Sequence, residues 1–166
     1  MCKVTIDDIL KKICENPECK IITHDSALSF DNVLPKDLLL YFEKYNEILF
    51  YPQSEYPIKI VGVTDFHPAN PIIVGETIED DITNSWYIIG YGENSQYITI
   101  DLSPDRFGWC YDSNWDRHGV PGSNPIIAHS FTELLYHTYK AKGKNYYWIT
   151  NEFESKGDAY DNVLIV

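Results

Sequence analysis

Apolar residues recur with two different periods along this chain, and the switches between them sketch its elements. Ile6, Ile9, Leu10 and Ile13 return at three- and four-residue intervals, so residues 5–14 are predicted to form a short amphipathic helix. Thr5 supplies an N-cap, Asp7 and Asp8 fall in the positive first turn, and Pro17 stops the segment. Lys20–Thr23 reads as a short strand. A second helix is predicted over residues 35–46: Pro35 suits a first helical position, and Leu38, Phe42 and Tyr45 share one face with Leu39 beside them. Strand-prone pieces follow at 48–51 and 58–63, with Pro52 and Pro57 between them. Residues 64–74, which hold Pro68, Asn70 and Pro71, read as an irregular connection.

The strongest β pattern comes next. Trp86–Tyr91 and residues 96–102 flank Gly92, Glu93, Asn94 and Ser95, which predicts a hairpin with a four-residue loop. A turn at Ser103, Pro104 and Asp105 leads into a third strand at 108–111, so a three-stranded meander is expected. Residues 112–124 read as a polar loop with Gly119, Pro121 and Gly122. Ser130 and Glu133 have capping-box spacing. Leu134, Leu135, Thr138 and Tyr139 carry a helix to about Lys142, and Gly143 ends it. Residues 146–150 and 163–166 are expected to be two last strands. No repeat, linker or low-complexity stretch divides the 166 residues, so 1–166 is expected to be a single domain.

Composition agrees with a globular chain, at 44% hydrophobic and 23% charged. Charge adds more. Lys and Arg number 13 against 25 Asp and Glu, a formal net charge of −12. A field of that sign repels phosphate backbones and anionic membranes and attracts basic proteins. Direct nucleic-acid or membrane binding is therefore not expected, and a basic protein partner is. The N-terminal residues lack the apolar stretch of a secretion signal, and no apolar run reaches the ~20 residues of a membrane span. A cytoplasmic location is expected. Cys2, Cys14, Cys19 and Cys110 form no Cys-x-x-Cys pair, which fits reduced thiols.

The motifs that would carry catalysis fail on inspection. Asp112, Asn114 and Asp116 have the opening spacing of a calcium loop, but Arg117 stands where Gly is needed and Ser123 where a bidentate Glu should be. Gly90-Tyr91-Gly92 begins a dinucleotide fingerprint, yet Ser95 replaces the third Gly and a strand, not a helix, follows. His24, His67, His118, His129 and His137 show no metal-ligand pairing, and Ser26, Ser29 and Ser130 lack a nucleophile-elbow setting. No catalytic residue, cofactor or metal is expected. What remains is the acidic run Glu76, Glu79, Asp80 and Asp81 and the polar loop with Asp112, Trp115 and Asp116. These seven are the candidate partner-binding residues, because acids steer basic partners and an aromatic in a polar loop can anchor one.

The order of motifs resembles the SUKH superfamily, which joins fungal Smi/Knr cell-wall synthesis regulators to bacterial immunity proteins. Leu34-Pro35 leading to Tyr45-Asn46 resembles its first helix, and Trp86-Tyr-Ile-Ile-Gly90 its Trp…Ile-Gly strand. Ile98-Thr-Ile-Asp101 and Gly108-Trp-Cys-Tyr111 are similar to its next two strands. Ile126 to Leu135, with Ser130-Phe131 inside it, resembles its closing helix. The likeness spans 34–139 and leaves 140–166 as a C-terminal extension. It implies an α+β fold, helices packed on a mostly antiparallel sheet, and no catalysis. It also implies binding and neutralisation of a toxin domain, often a nuclease, encoded by a neighbouring gene. The alternative it offers is a non-catalytic intracellular regulator or scaffold of the Smi/Knr type.

Overall fold

The computed structural model describes residues 3–24 and 32–163. Its first helix, α1 (Ile6–Glu15), is closed by a reciprocal capping box: the Asp8 N–H donates to Thr5 Oγ1 and the Thr5 N–H to Asp8 Oδ2, both at 3.2 Å. Strand β1 (Lys20–Thr23) follows. Helix α2 (Lys36–Lys44) takes Pro35 as its N-cap and stops two residues short of the expected end. Tyr45 is already extended there (φ −125°, ψ 145°) and opens strand β2 (Tyr45–Phe50), because its backbone pairs with Thr23 of β1. Ladder pairing outweighs the helical spacing of its side chain.

Five more strands complete one sheet: β3 (Ile58–Ile60), β4 (Trp86–Tyr91), β5 (Gln96–Asp101), β6 (Cys110–Asn114) and β7 (Ile126–Ala128). Spatial order equals chain order and every neighbouring pair is antiparallel. The three-stranded meander expected from the sequence is the middle of a seven-stranded one. Its hairpin turn puts both Asn94 (φ 55°) and Ser95 (φ 59°) in the left-handed region, as primed hairpin turns require. Strand β4 is irregular between Ile88 and Gly90, where a β-carbon on Gly90 would lie 2.7 Å from the Lys59 carbonyl oxygen.

Two expectations are corrected. Within 64–74 the chain forms a short helix, α3 (Ala69–Ile73). Pro71 lies in its first turn, where a missing N–H costs nothing. Residues 146–150 are not a strand but contain a 3-10 turn, Tyr147–Ile149. A strand would send Tyr147 and Trp148 to opposite faces. Both are buried in the same core instead, where Tyr147 donates to the Ile127 carbonyl (2.7 Å) and Trp148 to Asp112 (3.1 Å). The strand expected at 163–166 falls almost wholly outside the described residues.

Side chains of the sheet alternate between two clusters. Helices α1, α2 and α4 (Phe131–Ala141) cover one face, burying Ile9, Ile13, Leu38, Phe42, Ile89, Ile98, Phe131 and Leu134. The opposite face carries a smaller cluster of Trp86, Ile88, Tyr111 and Ile126, covered by Ala69 of α3 and by Ala159 and Tyr160. This is the α+β arrangement expected. Among the described residues no helix is long and apolar enough to cross a membrane.

Candidate functional site

The two segments singled out from the sequence meet on the second face. Tyr160 joins them: its hydroxyl lies 2.8 Å from Asp81 Oδ2 and 3.1 Å from the Gly119 carbonyl oxygen. A second link runs deeper. His118 Nε2 is 2.7 Å from Asn70 Oδ1, Asn70 Nδ2 donates to Thr83 Oγ1 (2.9 Å), and the Thr83 hydroxyl donates to Asp81 Oδ2 (2.6 Å). The direction of this relay sets the tautomer. Asn70 Oδ1 is an acceptor, so His118 carries its proton on Nε2 and Nδ1 is a bare acceptor. His118 is 6% exposed and its ring packs edge-on against Trp86, 5.6 Å between centroids. Burial pushes its pKa down to about 4, and the negative charge of Asp81 only partly opposes this. At neutral pH the relay is uncharged at one end and anionic at the other.

Asn124 staples the loop between them. It is fully buried, donates from Nδ2 to the carbonyls of Asp112 (3.1 Å) and Arg117 (3.2 Å), and accepts the Gly119 N–H (3.0 Å). From outside, Asp158 accepts the N–H groups of Gly122 (3.1 Å) and Asn124 (2.7 Å). Arg106 clamps the segment carrying Asp158 by donating to the carbonyls of Ala159 and Asp161. The C-terminal extension is thus part of what holds this loop in place.

The seven predicted site residues divide by exposure. Glu76, Glu79, Asp80 and Asp116 are exposed, and Trp115 is exposed to 60%. Asp81 is half-buried and turned inward. Burial works to raise its pKa, but hydrogen bonds from Thr83 and Tyr160 outweigh that and hold it below the ordinary carboxylate value. Asp112 does not reach the surface, at 3% exposure, because residues 112–114 continue strand β6 and are not loop as expected. Its Oδ1 accepts from Gln96 Nε2 (2.6 Å) and the Asn114 N–H (3.0 Å), and its Oδ2 from Trp148 Nε1 (3.1 Å) and Arg117 (3.4 Å). The carboxylate thereby ties β5, β6 and the Tyr147–Ile149 turn together, and it presents no charge to a partner. Sequence reasoning missed Asn70, Thr83, His118, Asn124 and Tyr160, whose links in this network span two to 79 residues. It also missed the exposed Ile72, Val74 and Val120. An apolar pair in a segment rich in Pro and Gly was the available signal.

No group of three or more His, Cys, Asp or Glu among the described residues is placed to hold a metal ion. Exposed acids, scattered apolar side chains and one large ring thus lie on this face. Comparison with known proteins bears on this directly. The chain is 42% identical over 164 residues to Immunity protein YokJ of Bacillus subtilis (strain 168), covering 98% of this chain and 99% of that protein. The chain belongs to the family of this immunity protein. That agrees with the SUKH resemblance, on its immunity-protein side. No family model matches the chain, and no solved structure matches it. The near-complete coverage takes in the C-terminal residues that clamp the second face.

Proposed function

We propose that this chain is an immunity protein that acts in the cytoplasm by binding and blocking a toxin domain encoded by a neighbouring gene. The observation that carries the reading is the 42% identity to an immunity protein along almost the whole of both chains. Its action is binding and not catalysis. The charge supports a basic partner, and a toxin domain that cleaves nucleic acid is the natural one, since it must carry a basic cleft for its phosphate substrate. A chain of net charge −12 is drawn to such a cleft and covers it. Glu76, Glu79, Asp80, Trp115 and Asp116 are the proposed contacts.

The test is neutralisation in cells. Expression of the adjoining gene's product arrests growth, and co-expression of this chain restores it. Growth arrest that this chain does not relieve would refute the reading. With purified proteins, association slows steeply as salt rises, because the Debye length falls from about 10 Å at 0.1 M to about 3 Å at 1 M.

A further inference from the structure

We infer that the partner docks on the second face of the sheet, on one composite surface made by α3, the acidic run after it and the loop 115–124. This rests on the immunity reading and says where, and by what chemistry, the contact is made. The occupant is a toxin domain that presents lysines and arginines around an apolar patch.

Charge is distributed unequally over the molecule. Helices α1, α2 and α4, which cover the first face, carry six acids and five bases. Segments 69–81 and 115–124 carry five acids and one base, Arg117. That base is already engaged with Asp112 at 3.4 Å and Asp116 at 3.9 Å. With Asp81 turned inward, these segments show four exposed acids, Glu76, Glu79, Asp80 and Asp116, against that one base, a local excess of negative charge that the three helices lack. Exposed apolar side chains gather in the same two segments: Ile72, Val74, Trp115 and Val120 are each 42–60% exposed. An apolar centre with a charged rim is the anatomy of a protein–protein contact.

The surface is also pre-assembled. The His118–Asn70–Thr83–Asp81 relay, the Tyr160 bridge and the Asn124 staple fix α3, the acidic run and the loop to one another before any partner arrives. Little ordering is left to oppose binding. The inward acid Asp81 holds the surface and does not belong to it, and Asp112 faces the first-face core, where it binds Gln96 and Trp148.

The probe is the product of the adjoining gene, immobilised, with association and dissociation followed separately. Trp115→Ala combined with Val120→Ser is expected to raise the off-rate about thirtyfold or more, the scale of a hot spot. Glu79→Lys combined with Asp80→Lys is expected to slow association about tenfold and to flatten its salt dependence. Leu40→Ser, on the exposed side of α2, should bind as the wild type does. All five positions lie at the surface, so unchanged thermal melting confirms that the variants are folded. Wild-type binding that survives both second-face variants, or that Leu40→Ser weakens instead, overturns this surface and leaves the immunity reading intact. A wild-type chain that does not bind the adjoining product overturns the reading beneath it.

Discussion

The two faces of this sheet are covered by different means. On the first, three helices bury an apolar core that includes Ile9, Leu38, Phe42, Phe131 and Leu134. On the second, a short helix, two loops and the C-terminal segment cover a ring cluster with polar side chains as their fastenings: Asn70, Thr83, Asp101, His118 and Asn124 are each 6% exposed or less. Apolar packing is tolerant, because any side chain of about the right volume serves. Hydrogen-bonded burial is not, because a lost partner leaves a desolvated group behind. The first face therefore rests mainly on apolar packing, with the Asp112, Gln96 and Trp148 cluster as a polar inset, and the second mainly on hydrogen bonds. A binding surface benefits from the second kind of construction, since rigid loops give up less entropy on contact.

The largest expected effects test that difference directly. Phe131→Ala, which empties a fully buried ring site beneath α4, should cost about 3–5 kcal/mol. Asn124→Ala removes far less volume, yet should cost about 3 kcal/mol, because two buried carbonyls and one N–H lose their partner at once. Urea denaturation midpoints compare the two. An Asn124→Ala loss below about 1 kcal/mol would show that the loop repacks, and the contrast between the faces would fail.

Acid separates the faces in a second way. His118 has a folded-state pKa near 4, below the 6.5 of an unfolded histidine. Between those values the unfolded chain takes up the proton and the native chain does not, so stability falls as pH drops from 6.5 to 4 and levels off below. By linkage this reaches about 3 kcal/mol at most. The groups facing His118 are the neutral Asn70, Trp86 and the more distant Asp81 carboxylate, and none can accept a proton from Nδ1 directly. On the first face Glu133 behaves differently. The His137 imidazole, 3.7 Å from its Oε1, leads in lowering it, burial opposes, and the His129 N–H and Lys156 add to the lowering, to about 2. Its contribution is present above about 4.5 and is lost as pH falls from there toward 2. Acid should therefore loosen the second face first. Melting temperatures between pH 7 and 4 check this, with His118→Phe expected to flatten the upper window only.

How much was legible beforehand follows the same division. Helices α1 and α4 came from periodicity and caps, since the forces that make them act within four residues. The strands of the central hairpin came from alternation and turn residues. Strand β7 did not, because Ile126, Ile127 and Ala128 alternate nothing and are all buried. Tyr45 was assigned to a helix because its pairing with Thr23 is non-local. Trp115 and the acids at 76, 79, 80 and 116, the proposed contacts, were readable as exposed residues because they stand in polar segments. Asp112 was misread because its burial depends on Gln96 and Trp148, 16 and 36 residues away. The fastenings of the second face have the same character, and no local pattern announces them.

A smaller effect concerns the first face alone. The Glu133 N–H donates to Ser130 Oγ at 3.1 Å, so Ser130→Ala should cost about 1 kcal/mol in the denaturation midpoint. The reciprocal half of the box is displaced by one residue: Glu133 Oε2 accepts from the His129 N–H at 3.1 Å, not from that of Ser130. Glu133→Gln keeps an oxygen that can accept that bond, so what it removes is the negative charge facing Lys156 (3.1 Å) and His137 (3.7 Å), and its cost should shrink as salt rises.

The smallest expected effect on stability is at the residue expected to matter most for contact. Trp115 is 60% exposed, and its backbone N–H, not its ring, holds it in place by donating to the Ser95 carbonyl at 3.2 Å. Removing the indole therefore leaves every fastening of the loop intact, and Trp115→Ala should change the denaturation midpoint by less than about 0.5 kcal/mol. That outcome is the one expected of a ring that serves the proposed contact and not the fold. A loss above 1 kcal/mol would mean that the ring is packed into the fold, and the second face would then lose its central apolar contact. An unchanged midpoint together with a faster off-rate would separate the two roles at a single side chain: the loop is built from Asn124 and His118 inward, and it is read from Trp115 outward.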